Sequence, residues 1–320
     1  MPVTEAEVGD VSAEHFIEAF RFRRPFKVLD GVHDWPACVH WLDRSTLADR
    51  LGGERAMVAC EASATGKFDP ARRGLRHVNM RVAELLDATL FAAASSNPRA
   101  CDATDSQSRA HLFCKLPLSP ALHADVAAMP LSMVASVPHA AETRFWLGAP
   151  GNGAALPLVR AALNICARVV LTVAASPVLV RLPPRLCRAP TDSVTSLHFD
   201  LCHSVIAQVV GRKRVHLFSP DDSAYLYPFA VAEGAPRVSR VDLGAWLSAD
   251  ATERAAHANV AHTTAFTCVL DAGDVLYIPP CWWHHVEAVT ANISVLAPFD
   301  MSAEEQRTIP RPWTSPGWGR

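Results

Sequence analysis

The chain has 320 residues, 50% of them apolar and 19% charged, which supplies a sizeable core and excludes a disordered chain. Thirty basic against 32 acidic side chains leave a net charge of −2, so charge alone does not hold this protein to nucleic acid or to a membrane surface. Nine cysteines without a CxxC pair predict reduced thiols rather than a disulfide framework, and with them a cytoplasmic or nuclear location.

Met1 to Asp10 is acidic and polar, with no basic segment leading into an apolar run, and predicts no secretory signal. In residues 13–25, Phe16, Ile17 and Phe20 fall at helical spacing, which predicts a short amphipathic helix ended by Pro25. PFKVLDG reads as a strand entering a turn. Thr46 to Gly53 reads as a helix with a glycine stop, and Glu54 to Cys60 as a further strand. Residues 80–97 read as a helix with Val82, Leu85, Leu86 and Leu90 on one side. Residues 13–140 thus have the character of an α+β elaboration.

Residues 154–190 are apolar, poor in acidic side chains and without a clear period. Pro157, Arg160, Asn164, Arg168 and Pro177 interrupt the longest apolar run, which argues against a membrane span. The segment reads either as a buried helix over Leu156 to Ala175 or as a poorly ordered insertion. From Val194 the texture changes. Short runs rich in valine, isoleucine and aromatics recur at Ser204–Val210, Arg214–Phe218, Thr264–Leu270, Val275–Ile278, His285–Val289 and Ile293–Leu296. Gly211, Pro220 and Gly273 punctuate them, as in a β-barrel or jelly roll.

The chemistry lies in that second half. In LHFD (Leu197–Asp200) strand alternation points His198 and Asp200 the same way, with Phe199 opposite. In GDVLYIPPCWWHHVEAV (Gly273–Val289) a histidine at the start of the later strand, His284 or His285, can reach across the barrel to them. Two imidazoles and one carboxylate make a facial triad for non-heme Fe(II), leaving positions for a bidentate 2-oxo acid and dioxygen. Lys213 lies on the next strand, 15 residues after His198 (213 − 198 = 15). A lysine there neutralises the distal carboxylate of 2-oxoglutarate, with a hydroxyl such as Thr195 adding a hydrogen bond. Cys202 shares the face of Asp200, whereas His216, at an odd offset, faces away from Lys213.

The stretch VTSLHFDLCHSVIAQVVGRKRVHLFSPDDSAYLYPF together with GDVLYIPPCWWHHVEA resembles the JmjC-type, cupin-like Fe(II)/2-oxoglutarate oxygenases. Within them it is most similar to the branch holding the tRNA wybutosine hydroxylase and the asparaginyl hydroxylase that inhibits hypoxia-inducible factor. The likeness covers Val194 to Phe299, and more weakly Phe16 to Val58. It implies a mainly β, double-stranded β-helix (jelly-roll, cupin) domain over residues 1–320 with an α+β N-terminal elaboration. The main barrel occupies 194–299 and a short tail 300–320.

The resemblance further implies His198, Asp200 and His284 as iron ligands, His284 because the ligand directly follows the aromatic pair. It implies Lys213 and Thr195 as contacts of the 2-oxoglutarate C5 carboxylate. Ser204 stands where this branch often has asparagine beside the co-substrate, and Leu296 and Ala297 replace a polar residue on the last strand. Phe199 and Trp283 wall the substrate side or fill core. Joining Asn152 to Val194 restores the uninterrupted pattern, so residues 153–193 are read as a retained intron or an inserted loop. The short tail weakens the helical dimer mode of the family.

The implied cofactors are Fe(II), 2-oxoglutarate as co-substrate, and dioxygen. The implied substrate is the wybutosine side chain of tRNA. Arg21, Arg23, Arg24, Lys27, Arg72, Arg73 and Arg76 are candidate RNA contacts. The alternatives are hydroxylation of a protein Asn, Asp, Arg or Lys side chain, and a metal-binding cupin without turnover. No membrane partner is implied.

Overall fold

The computed structural model describes residues 1–7, 10–69, 71, 74–91, 111–126, 130, 144–148, 193–309, 311–314 and 318. The segment read as an insertion, together with Arg72 and Arg73, lies outside these residues, apart from Ser193.

The first seven strands are β1 (Thr4–Glu7), β2 (Phe26–Leu29), β3 (Met57–Ser63), β4 (Lys67–Phe68), β5 (Leu75–Arg81), β6 (His111–Pro117) and β7 (Arg144–Gly148). The last seven are β8 (Val194–His198), β9 (His203–Val210), β10 (Lys213–Phe218), β11 (Phe266–Leu270), β12 (Val275–Ile278), β13 (Trp283–Ala288) and β14 (Asn292–Phe299). They form a nine-stranded sheet in the order β1-β2-β12-β9-β14-β7-β6-β3-β5 and a five-stranded sheet in the order β11-β10-β13-β8-β4. The chain crosses between the sheets repeatedly, as a double-stranded β-helix requires.

Strand β9, HSVIAQVV, is buried at every position, because both its faces are covered. Its Val205, Ala207 and Val209 join Phe16, Phe26, Trp35, Trp41 and Leu85 of the N-terminal elements in one apolar layer. Ile206 faces the opposite way, toward Val215, Leu217, Leu276, Val286 and Leu296 between the sheets. A strand buried on both sides need not alternate apolar with polar residues, and the polar His203, Ser204 and Gln208 are buried with the rest. A third layer on the outer face of the smaller sheet joins Phe199, Phe218 and Trp283 to Trp313 and Trp318 near the C-terminus.

Three N-terminal readings need correction. The first helix stops at Ala19, and Ile17 is 46% exposed while Phe16 and Phe20 are buried; at 100° per residue Ile17 points off the stripe they define. The helix predicted over 80–97 begins at Val82 and ends at Ala88, because residues 75–81 are captured by pairing with β3 from Met57 to Ser63. The strand predicted at Glu54–Cys60 is shifted to Met57–Ser63. By contrast, the glycine stop is present: Gly52 and Gly53 follow the helix Arg44–Arg50 at φ 99° and 94°.

Candidate active site

Strands β8 and β13 are antiparallel neighbours that set His198 directly opposite His284. Their register then shifts, since Val286 pairs with Thr195. Two residues on β13 thus span three on β8, a β-bulge that resets which side chains share a face. Simple alternation separates Thr195 from His198; the bulge brings both to the interior.

Asp200 follows two residues beyond the end of β8. Its backbone carbonyl accepts the Cys281 N–H at 2.8 Å, which ties the loop carrying Asp200 to the turn before His284. Cys281 holds that turn at φ 64°, a left-handed conformation costing a non-glycine residue roughly 1–2 kcal/mol.

His198, Asp200 and His284 each offer a ligand atom, and these atoms lie within 4.8 Å of one another. The imidazole centroids are 4.2 Å apart, and His284 Nε2 lies 3.8 Å from an Asp200 carboxylate oxygen. His198 Nδ1 bonds to the Ser196 carbonyl at 2.8 Å, and His284 Nδ1 to the Trp282 carbonyl at 3.0 Å. A carbonyl oxygen only accepts, so Nδ1 donates in each imidazole and Nε2 is left to serve as the ligand atom. Outer hydrogen bonds of this kind orient metal-ligating histidines. Among the described residues this is the one His/Cys/Asp/Glu cluster with ligand spacing.

The charges suit a cation. Burial, then the neighbouring His284, pushes His198 down to about 3, so its imidazole is neutral. Burial raises the Asp200 carboxyl, but His198, His284, Arg237 and Lys115 outweigh it and hold the group below its usual range. The set therefore contains an ionised carboxylate beside a neutral imidazole, both ready to donate.

Deeper between the sheets lies Lys213, at the start of β10 after the β9–β10 turn. Gly211 makes that turn at φ 71°, where a side-chain Cβ collides with the Ala291 carbonyl oxygen. Lys213 is 5% exposed. Its ammonium has no ion pair among the described residues, and burial alone depresses it to about 7. The ammonium lies over the Trp146 ring, 5.6 Å from its centroid. A narrow cavity of about 20 Å³ separates Lys213, Thr195, Trp146 and Asn292. Trp146 Nε1 and Asn292 Oδ1 are buried there without hydrogen-bond partners. Ser204 is also buried on the inner side of β9, two residues before Ile206.

Several expectations fall elsewhere. His285 faces the opposite side of β13, against Glu287 at 3.4 Å. It lines a separate cavity of about 270 Å³ on the outer face with Ser196, Ser239 and Lys67. His216 is on the same outer side, bonded to Thr267. Of the two readings for Phe199 and Trp283, the structure fits the one as core aromatics. Their rings meet at 4.8 Å in the outer aromatic layer, because residues flanking inward ligands on a strand point outward. Leu296 faces the inter-sheet core and Ala297 the N-terminal layer.

Two proposed RNA contacts are consumed internally. Arg21 is paired with Glu305 at 2.9 Å, and Lys27 is buried with Asp274 at 3.0 Å and Glu5 at 3.3 Å. Arg23, Arg24 and Arg76 remain exposed. Sequence reasoning missed Trp146, which β-sheet pairing alone brings beside Lys213, and Arg237, whose loop residues Pro236 to Arg240 carry no motif.

The profile of the cupin-like domain family matches residues 12–305. Among curated proteins, the chain is 37% identical over 106 residues to "Lysine-specific demethylase JMJ30" of Arabidopsis thaliana, covering 33% of this chain and 23% of that protein. It is 35% identical over 98 residues to "tRNA wybutosine-synthesizing protein 5" of Homo sapiens, covering 31% and 28%. It is 34% identical over 119 residues to "HSPB1-associated protein 1 homolog" of Danio rerio, covering 36% and 25%. The aligned segment thus spans about a quarter of each relative's length.

Proposed function

This chain belongs to the cupin-like domain family, and from that footing we propose that it is an Fe(II)- and 2-oxoglutarate-dependent oxidoreductase that hydroxylates its substrate. The observation carrying this reading is one interior that holds both a three-donor metal set and a buried lysine lacking a counter-ion. A structural lysine is ordinarily paired when buried. An anionic ligand explains one that is not.

His198, Asp200 and His284 are the proposed ligands. Two histidines and a carboxylate with open positions suit ferrous iron. When bound, the metal supplies the redox chemistry that couples dioxygen and 2-oxoglutarate to C–H hydroxylation, yielding succinate, carbon dioxide and the hydroxylated product. The protein's part is positioning. The Ser196 and Trp282 carbonyls lock both imidazoles, and Asp200 stays ionised. Leu217 pairs with His284 and Lys213 lies four residues back along β10, roughly 13 Å at ~3.3 Å per residue. A five-carbon diacid held between the metal ligands and Lys213 would, with the lysine's own reach, span that interval. Thr195 and Ser204 are the proposed hydroxyl partners of the co-substrate. The cavity beside Lys213 has room for about one water, and Trp146 forms one of its walls.

For the substrate we propose the wybutosine side chain of tRNA, supported by the relative of that name and by exposed Arg23, Arg24 and Arg76. A protein side chain is the second reading. It is favoured by the internal pairing of Arg21 and Lys27 and by the relatives named demethylases. A cytoplasmic or nuclear setting fits the described cysteines, all of them free. No described helix is long and apolar enough to cross a membrane.

Succinate release from purified protein with Fe(II) and 2-oxoglutarate, with and without bulk tRNA, tests the proposal. Turnover is expected, and His198→Ala or Asp200→Ala should abolish it. Metal binding with no succinate under any substrate identifies a cupin that binds metal without turnover.

A further inference from the structure

Strand pairing holds two of the three metal donors but not the third. His198 ends β8 and His284 lies within β13, directly opposite one another. Asp200 falls beyond β8 in irregular backbone, with its side chain 40% exposed. Two backbone hydrogen bonds steady this segment. Phe199 N–H donates to the Arg237 carbonyl at 3.0 Å, and Cys281 N–H to the Asp200 carbonyl at 2.8 Å. The aim of the carboxylate then depends on how Phe199, the residue between the first two donors, is anchored.

Rings grip Phe199 from two directions. Trp283, the residue before His284, meets it edge-on at 4.8 Å, and the Trp283 indole donates to Ser223 Oγ at 2.9 Å. The other rings come from beyond the helix Ala303–Thr308. Trp313 stacks on Phe199 at 5.6 Å, with 25° between the planes. Trp318 meets Phe199 edge-on at 6.5 Å and stacks on Trp283 at 6.4 Å. The Trp318 indole donates to the Pro236 carbonyl at 3.2 Å, one residue before the carbonyl that receives Phe199. Ile309, just past the helix, is buried in the same layer. Offset-stacked and edge-on aromatic pairs at such separations both attract. The chain after the barrel thus closes from behind on the two residues that precede Asp200 and His284.

We propose that Trp313 and Trp318 are positioning residues for the metal: by clamping Phe199 and Trp283 they hold Asp200 and His284 at ligating distance. The role rests on the metal set of the oxygenase reading. Phe199 and Trp283 point outward while the donors beside them point inward. An aromatic side chain fixed on the outer face therefore fixes where its neighbour projects on the inner one. Groups that support a ligand from behind govern metal affinity by roughly ten- to a hundred-fold. Trp313 meets Phe199 and so bears on Asp200, whereas Trp318 meets both anchors and bears on His284 as well.

The test uses the full chain. Water-proton relaxivity gives the Mn(II) affinity, and urea unfolding of the metal-free protein gives the stability of the same variants. Trp313→Ala and Trp318→Ala are expected to raise the Mn(II) Kd by about ten-fold. Trp313→Phe and Trp318→Phe keep a ring in the clamp and should recover most of that loss. Val58→Ala, in the N-terminal apolar layer, should lower stability and leave the Kd unchanged, which separates positioning from general weakening. If an alanine variant does not fold, Trp313→Leu and Trp318→Leu, which keep apolar volume without a ring, are read in the same way. A Kd unchanged in the folded Trp313 and Trp318 variants, or raised as much in Val58→Ala, overturns the role while leaving the metal site standing. No Mn(II) binding by the unsubstituted chain overturns the oxygenase reading, and this role with it.

Discussion

At the scale of the residue, Lys213 is the most telling side chain. Its ammonium is buried without an anion, and burial holds it at about 7. Binding a dianion favours the protonated form, so proton and co-substrate binding reinforce one another. Below about pH 7 the lysine is already charged, and 2-oxoglutarate affinity should be flat. Above it a proton must be taken up on binding, and the apparent Kd should rise by up to about ten-fold per pH unit. Titrating 2-oxoglutarate into Mn(II)-loaded protein from pH 6 to 9 measures this. Lys213→Arg should remove the slope, since a guanidinium stays charged throughout. A slope that survives Lys213→Arg would assign the proton to another group.

At the scale of the element, short irregular pieces do the positioning. The bulge on β8 turns Thr195 inward, and Cys281 in its left-handed conformation launches β13 at the metal set. The helix Ala303–Thr308 after the barrel is six residues long, yet its Glu305 binds Arg21 through two hydrogen bonds and contacts His203 at 3.3 Å. Burial raises the Glu305 carboxyl, but the Arg21 hydrogen bonds and the Ser302 N–H bring it down to about 2. A carboxyl lower in the folded than in the unfolded state stabilises above its unfolded pKa and loses that contribution as pH falls through the folded value. Glu305→Gln is therefore expected to cost about 1–3 kcal/mol at neutral pH. The cost should shrink below pH 4.5 and vanish near pH 2. Urea unfolding across pH checks this; a penalty independent of pH would mean the loss is packing rather than charge.

At the scale of the whole molecule, the metal set belongs to the smaller sheet, whereas the lysine cavity lies between the two. Lys213 and Thr195 come from one sheet, and Trp146 and Asn292 from the other. Metal alone should stabilise the fold by linkage, about 2.7 kcal/mol at a hundred-fold excess over Kd. 2-Oxoglutarate should add a second increment only when metal is present. Thermal unfolding should show both steps in the natural chain and only the first in Lys213→Ala. A 2-oxoglutarate increment that needs neither metal nor Lys213 would contradict the shared site.

LHFD, the WWHH pair and Lys213 were readable from sequence because each depends on chain-local properties. Strand period points alternate side chains to one face, and burial demands apolar runs between turn signals. Those rules suffice for a mainly β barrel and for the candidate ligands, although choosing His284 over His285 needed a family resemblance. What stayed hidden depends on contacts between segments far apart in the chain. Ion pairing buried Lys27 against Asp274 and removed Arg21 from the surface. Pairing with β3 turned residues 75–81 into strand, and sheet order set Trp146 beside Lys213. Arg237 sits beside the metal set because its backbone bonds to Phe199. No local pattern encodes such partners: their free energy comes from desolvation and geometry that exist only once distant strands have met.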